Sequence, residues 1–348
     1  MSFRNLSPQE MFVQWALNHT PEYTFTEETD FSAWKKEALP KVLATLGDFP
    51  KQVELEPQLM GEWQKDGIIT QRWLINVGEF ISAIFLINKP TDIKPGEKRA
   101  AILCWHGHGE FGKEPVMGND SSSDLKQCIT TFNYDYGWQM AKKGFVTFAI
   151  DWIGCGERND NNKPNYNNHN NGRDWCNIYY LHATMLGMTS LSINITHGKA
   201  AVDFACSLPE VDENRIGVMG LSGGGTMSAW MPLCDERIKA TEIICYSDLW
   251  AYFGIRDLNY CGMQVAPGLF KLVDLPELQG LIAPNPLLID IAANDDCFKI
   301  DTANVCFQRL TKIYEVAGAS DNLYLDLHAG NHAWGANKSE EFFNKYLI

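Results

Sequence analysis

The sequence is informative first for what it lacks. No apolar run reaches the ~20 residues that a helix needs to cross a bilayer, so an integral membrane role is not expected. Positive charge is scarce: 29 Lys and Arg stand against 43 Asp and Glu, for a net charge of −14. Such a surface repels phosphate backbones and anionic lipid, so neither nucleic acid nor a membrane surface is an expected partner. The ten cysteines form no CxxC pair and no regular framework. In a chain this long that favours reduced, mostly buried thiols over a disulfide scaffold. Cys104, Cys206 and Cys245 lie in apolar segments and read as small core residues. The opening stretch MSFRNLSPQEMFVQWALNHT has no basic start, apolar core or small-residue cleavage site of a secretory signal, so a cytoplasmic location is expected. No internal repeat is visible.

What is present is globular: 348 residues, 45% hydrophobic, 12% aromatic and 21% charged, enough for one large α/β domain with additions. Residues 1–65 read as a helical extension. Pro8 after Ser7 marks a helix start, and Trp34, Ala38, Val42 and Leu46 recur at helical spacing. The rest, 66–348, reads as the main domain. RWLINV (72–77) and FISAIFLI (80–87) flank Gly78-Glu79 as a hairpin. Six apolar runs follow: AAILCW, FVTFAI, RIGVM, TEIICY, PLLIDIA and NLYLDL. Helical stretches fall between most of them, at 136–143, 178–208, 226–234, 302–317 and 339–346. Apolar strands alternating with helices predict a mostly parallel sheet of eight strands, covered on both faces. Asn159 to Asn171 reads as an exposed polar loop. Arg256 to Pro276 reads as an irregular, partly apolar insertion of the kind that shapes binding pockets.

Chemistry concentrates at the predicted strand ends. Gly220-Leu221-Ser222-Gly223-Gly224 fits G-x-S-x-G between a strand and a helix, where a nucleophile on a tight turn requires small residues two before and two after it. A phosphate-binding turn would need G-x-G-x-x-G or a lysine after the glycines, and neither is present. A serine nucleophile needs a base and a group to orient that base. Asp295 and Asp296 follow the PLLIDIA strand, and the loop spacing favours Asp295 as the acid. His328 and His332 follow the last strand; His328 continues it and reads as packed, whereas His332 lies beyond Gly330 in a loop and reads as the base.

The oxyanion donors expected are the backbone N–H groups of Gly223 and of His108, in His106-Gly107-His108-Gly109 after AAILCW. His-x-His also chelates zinc, but no further ligand at suitable spacing joins it. No metal or cofactor is expected. After FVTFAI, Asp151 and Arg158 read as an ion pair holding loops together, and Cys155 as structural. Trp152, Arg158, Trp175 and Trp334 are candidates to line the substrate pocket.

Taken together, CWHGHGEFGKE, FAIDWIGCGER, PEVDENRIGVMGLSGGG, LIAPNPLLIDIAANDDCF and AGNHAW resemble the α/β-hydrolase superfamily, in its acetyl xylan esterase-like and dienelactone hydrolase-related branch. The resemblance implies an α/β-hydrolase fold, Ser222 as nucleophile, Asp295 as acid, His332 as base, and Gly223 and His108 as oxyanion donors. It further implies a serine esterase acting on small acyl esters, possibly acetylated carbohydrates, without a cofactor. Dienelactone hydrolases use a cysteine where this chain has Ser222, which argues against that activity. The rivals are a serine peptidase or amidase of the prolyl-oligopeptidase type, against which the missing propeller repeat argues, and a non-catalytic binding protein on the same fold. The expected partner is a small-molecule ester; a homo-oligomer formed through the N-terminal helices is a further expectation.

Overall fold

The computed structural model describes residues 4–160 and 174–348. Nine strands form one sheet: β1 (Gln58–Lys65), β2 (Ile68–Gly78), β3 (Ile81–Pro90), β4 (Arg99–Trp105), β5 (Val146–Ile150), β6 (Val211–Leu221), β7 (Ile238–Ile244), β8 (Leu287–Ala292) and β9 (Leu323–His328). Their order is β1-β2-β3-β5-β4-β6-β7-β8-β9. The first three run antiparallel, β3 joins β5 antiparallel, and every later pairing is parallel.

The expected count of eight is corrected to nine, because residues 58–65 form a strand and not part of a helical extension. Asp66 and Gly67, both at positive φ, make the tight turn into β2. Asp-Gly is a hairpin signal. The strand itself carries no apolar alternation, since nearly every residue of it is exposed at the sheet edge.

The parallel strands are buried on both faces, β5 and β8 along their whole length, which is why they read as unbroken apolar runs. Chain order reverses around β4: β5 lies on one side of it and β6 on the other. At such a switch point the loops after neighbouring strands diverge and leave a crevice at their carboxyl ends.

The helix Pro8–Leu17 is capped by Ser7, and the helix Phe31–Ala44 buries Trp34, Ala38 and Val42. Both lean on the segment after β7: Gln9 Nε2 donates to Ile255 O at 2.6 Å, and Tyr23 N donates to Leu272 O at 2.8 Å. The stretch of it from Arg256 to Pro276, expected to shape a pocket, is instead partly core, with Met263, Leu269, Val273 and Leu275 buried. The exposed polar loop expected from Asn159 falls mostly on residues 161–173, outside the described residues. Among the described residues no helix is long and apolar enough to cross a membrane.

Candidate active site

Ser222 follows β6 directly and caps the helix Gly223–Cys234, at φ 59° and ψ −117°. A non-glycine residue at positive φ costs ~1–3 kcal/mol and persists only where its surroundings enforce it. The surroundings here are tight. Ser222 N donates to Ile244 O at 2.8 Å. A Cβ on Gly220 would stand 2.6 Å from Gly224 O, and one on Gly224 would stand 2.1 Å from Trp105 O. The glycines on either side of Ser222 are therefore steric requirements of the turn.

Asp295 and His332 meet across the loops after β8 and β9. His332 Nδ1 and Asp295 Oδ2 are 2.7 Å apart, while Asp295 Oδ1 accepts from Cys297 N at 2.7 Å and Phe298 N at 3.0 Å. Burial alone would raise the pKa of Asp295. The bond to His332, its charge and the two backbone N–H groups outweigh that and hold the carboxyl below its ordinary value. An ionised Asp295 makes Nδ1 of His332 the protonated nitrogen and leaves Nε2 as the basic one. Phe298 stacks on the imidazole at 5.8 Å with 14° between the planes, and Phe132 meets it edge-on. Asp296 is exposed. Ser222 and His332 line one cavity of about 430 Å³. No hydrogen bond joins them among the described residues; such bonds in unliganded sites often close only around the substrate.

The loop after β4 forms the facing wall. The point where a Cβ of Gly107 would stand is 3.3 Å from Ser222 Cβ, and the corresponding point at Gly223 is 3.2 Å from His108 N. The N–H groups of His108 and Gly223 thus lie side by side next to Ser222, with no partner for either among the described residues. His106 does not point into the cavity. Its Nε2 accepts from Trp152 N at 2.9 Å, and its Nδ1 lies 2.7 Å from Gly107 O, so the proton sits on Nδ1. Burial pushes its pKa down, and it stays neutral as a strut for the turn.

Two buried polar groupings fix the loop that carries His332. His328 Nε2 lies 3.0 Å from Asp290 Oδ1, and Asp290 Oδ2 accepts from Gly335 N at 2.8 Å. Burial pushes Asp290 up to about 6, against the pull of His328. Trp334 Nε1 and Ser339 Oγ donate to Glu242 Oε1 at 3.0 and 2.7 Å. Glu242 is pushed up to about 8, chiefly by burial and then by Asp290.

The four aromatic and arginine candidates for the substrate pocket are corrected, since none lines the Ser222 cavity. Trp152 is fully buried against Trp105. Trp334 is buried, and its Nε1 donates to Glu242 Oε1. Trp175 opens the helix Trp175–Met185 and packs on Tyr179. Arg158 is buried and donates to Asp151 O and His197 Nδ1, each at 2.9 Å. The ion pair expected between Asp151 and Arg158 is also replaced: the Asp151 carboxylate takes Lys113 Nζ at 2.8 Å. The cavity is lined mainly by the segment 107–115 after β4 and, opposite it, by Asp124, Gln127, Cys128, Thr131 and Phe132 of the helix Ser123–Phe132, which is not anticipated from the sequence. Its signals were present, in a Ser122 cap followed by Leu125, Cys128, Ile129 and Phe132 at helical spacing.

A mostly parallel sheet with a strained serine turn after β6 and an aspartate–histidine pair beyond β8 and β9 defines an α/β-hydrolase fold. The chain belongs to the Abhydrolase family, whose model matches residues 3–339. It is 25% identical over 312 residues to the Bacillus subtilis protein named "Putative hydrolase YtaP", covering 87% of this chain and 96% of that one. Among solved structures, a "putative acetyl xylan esterase" from Bacteroides fragilis superposes with TM-score 0.72 at 18% identity, covering 99% of this chain and 91% of the other. A glucuronoyl esterase from Solibacter usitatus does so with TM-score 0.64 at 14% identity, covering 93% and 96%.

Proposed function

We propose that this protein is a serine carboxylic ester hydrolase working through an acyl-enzyme. Ser222 Oγ attacks the ester carbonyl carbon while His332 Nε2 takes its proton. Asp295 holds the imidazole in the required tautomer and stabilises its cationic form. The N–H groups of His108 and Gly223 receive the oxyanion. The tetrahedral intermediate collapses, the alcohol leaves with the proton from His332, and water repeats the sequence on the acyl-serine. The observation that carries this reading is the Asp295–His332 pair opening onto the cavity that also holds Ser222 at its strained turn.

The cavity narrows the substrate. The lining of this cavity of about 430 Å³ includes Glu110 and Asp124 but no lysine or arginine. Two carboxylates without a counter-cation disfavour an acyl group that keeps a free carboxylate; a uronoyl ester, whose carboxylate is masked in the ester bond, is not disfavoured on this ground. The test is hydrolysis of p-nitrophenyl acetate and an acetylated sugar against p-nitrophenyl hemisuccinate, whose acyl group is anionic, with Ser222→Ala alongside. Acetyl ester turnover that disappears in Ser222→Ala is expected. Full turnover in Ser222→Ala, or a strong preference for the hemisuccinate, refutes the assignment.

A further inference from the structure

We infer that His108, Cys176 and Cys261 form a binding site for one soft divalent cation, zinc by its chemistry, on the wall of the active cleft. The Nε2 of His108 and the two sulfurs lie within 4.8 Å of one another, and Nε2 is 3.1 Å from Cys176 Sγ. Tetrahedral zinc with bonds of ~2.0–2.3 Å places its nitrogen and sulfur ligands ~3.5–3.8 Å apart. The three atoms therefore need only small side-chain shifts to enclose an ion.

The ligands come from three separate segments. His108 lies in the loop after β4, Cys176 in the first turn of the helix Trp175–Met185, and Cys261 just before the turn Gly262–Gln264. Asn177 Oδ1 accepts from Gly262 N at 2.8 Å, tying the two cysteine segments together. This convergence supplies the partners that the His106-x-His108 pair lacks in sequence, and His106 itself faces away.

The cluster has a route to solvent. Cys176 is buried, but the His108 side chain is 50% exposed. A cleft of about 370 Å³, lined by His108, Gly154, Cys155, Asp174 and Cys176, opens beside it. That leaves the fourth coordination position to water, on the side where Asp174 Oδ2 lies 3.9 Å from His108 Nε2. One imidazole and two thiols form a donor set that selects zinc-like ions over magnesium or calcium.

Binding breaks two S–H bonds, forms two S–metal bonds and releases two protons, so the bound site is neutral apart from its water and tightens as pH rises. The site stands whether or not Ser222 is the nucleophile. If both hold, the ion grips the side chain of the residue whose N–H faces Gly223.

The test titrates the full chain, reduced and stripped with chelator, with cobalt(II) and then displaces it with zinc. The expected result is one cobalt per chain, with thiolate-to-cobalt charge transfer and the visible bands of tetrahedral cobalt. Cys176→Ser and Cys261→Ser should each weaken zinc binding by more than the ~10–100-fold typical of losing an outer partner. His108→Ala keeps the backbone N–H on an exposed residue, and should weaken zinc binding likewise even if a cysteine variant misfolds. Cys206→Ser should leave the titration unchanged. A reduced wild-type chain that binds no cobalt, or a charge-transfer band that survives in both cysteine variants and in His108→Ala, overturns the inference.

Discussion

Asp295→Asn tests the electrostatics of the site with almost no change in shape. The carboxylate serves two sets of donors at once. Oδ2 faces His332 Nδ1 at 2.7 Å, and Oδ1 faces Cys297 N and Phe298 N at 2.7 and 3.0 Å. Asparagine has only one oxygen, so one set must lose. If the oxygen stays on the two backbone groups, the amide N–H₂ points at His332 Nδ1 and forces the proton onto Nε2. The base is then in the wrong tautomer, for which a fall in kcat of ~10⁴ is the known scale. If the amide flips, the tautomer survives but two N–H groups face an N–H₂, at ~1–3 kcal/mol for each buried group left unpaired. Since that second arrangement sacrifices two bonds to save one, the first should dominate. The expected result is kcat for p-nitrophenyl acetate down by ~10³–10⁴ with the melting temperature little changed. A kcat within tenfold of wild type, at unchanged stability, refutes Asp295 as the orienting acid.

Ser222→Ala should lower turnover by ~10⁶ and abolish labelling by a fluorophosphonate probe, read by mass spectrometry; a labelled alanine variant would place the nucleophile elsewhere. Gly224→Ala places a methyl 2.1 Å from Trp105 O, so it should lose at least ~1–3 kcal/mol in chemical denaturation. Trp334→Phe removes one of the two donors to Glu242 Oε1, and should lose ~0.5–1.5 kcal/mol while lowering kcat more than it changes KM. Glu242 has a folded pKa of about 8 against an ordinary 4.5. Its carboxyl is therefore protonated in the folded chain over a range where the unfolded chain has already ionised. Stability should fall as pH rises from about 4.5 to about 8 and then level off. Glu242→Gln, which cannot ionise, should flatten that part of the melting temperature against pH.

The parallel strands were legible because burial on both faces writes an apolar run into each, as in AAILCW and PLLIDIA. The serine turn was legible because its crowding excludes side chains at Gly220 and Gly224, which leaves a mark in the sequence. Side chains whose partners lie far away in the chain left no comparable mark. Trp334 and Trp152 read as pocket aromatics because nothing local says that one indole will meet Glu242 from β7 and that the other will be sealed against Trp105. Asp151 was paired with the nearest arginine in sequence, whereas Lys113, arriving from the loop after β4, reaches its carboxylate first. Strand β1 was missed for the opposite reason: an exposed edge strand has little to bury, so only the Asp66-Gly67 turn announced it.

Strands β8 and β9 and the loops after them hold two aspartate–histidine pairs at nearly equal separations, Asp290–His328 on the strands and Asp295–His332 in the loops, and distance alone does not say which one is built for proton transfer. The surroundings do. In the Asp290–His328 pair both imidazole nitrogens are spoken for, Nε2 by Asp290 and Nδ1 as acceptor for Gly330 N at 3.1 Å. Its carboxylate is spent on Gly335 N, and burial has pushed it up to about 6. That pair has no free lone pair to offer a substrate, and its bonds end on the two glycines that bracket His332. In the Asp295–His332 pair the acid is held ionised, one nitrogen is committed to it, and the other has no partner among the described residues in a cavity shared with Ser222. A general base must have an unshared lone pair at the reacting centre. Of these two histidines His332 meets that condition, as the proposed mechanism requires, and the first pair is best understood as the clamp that aims the second.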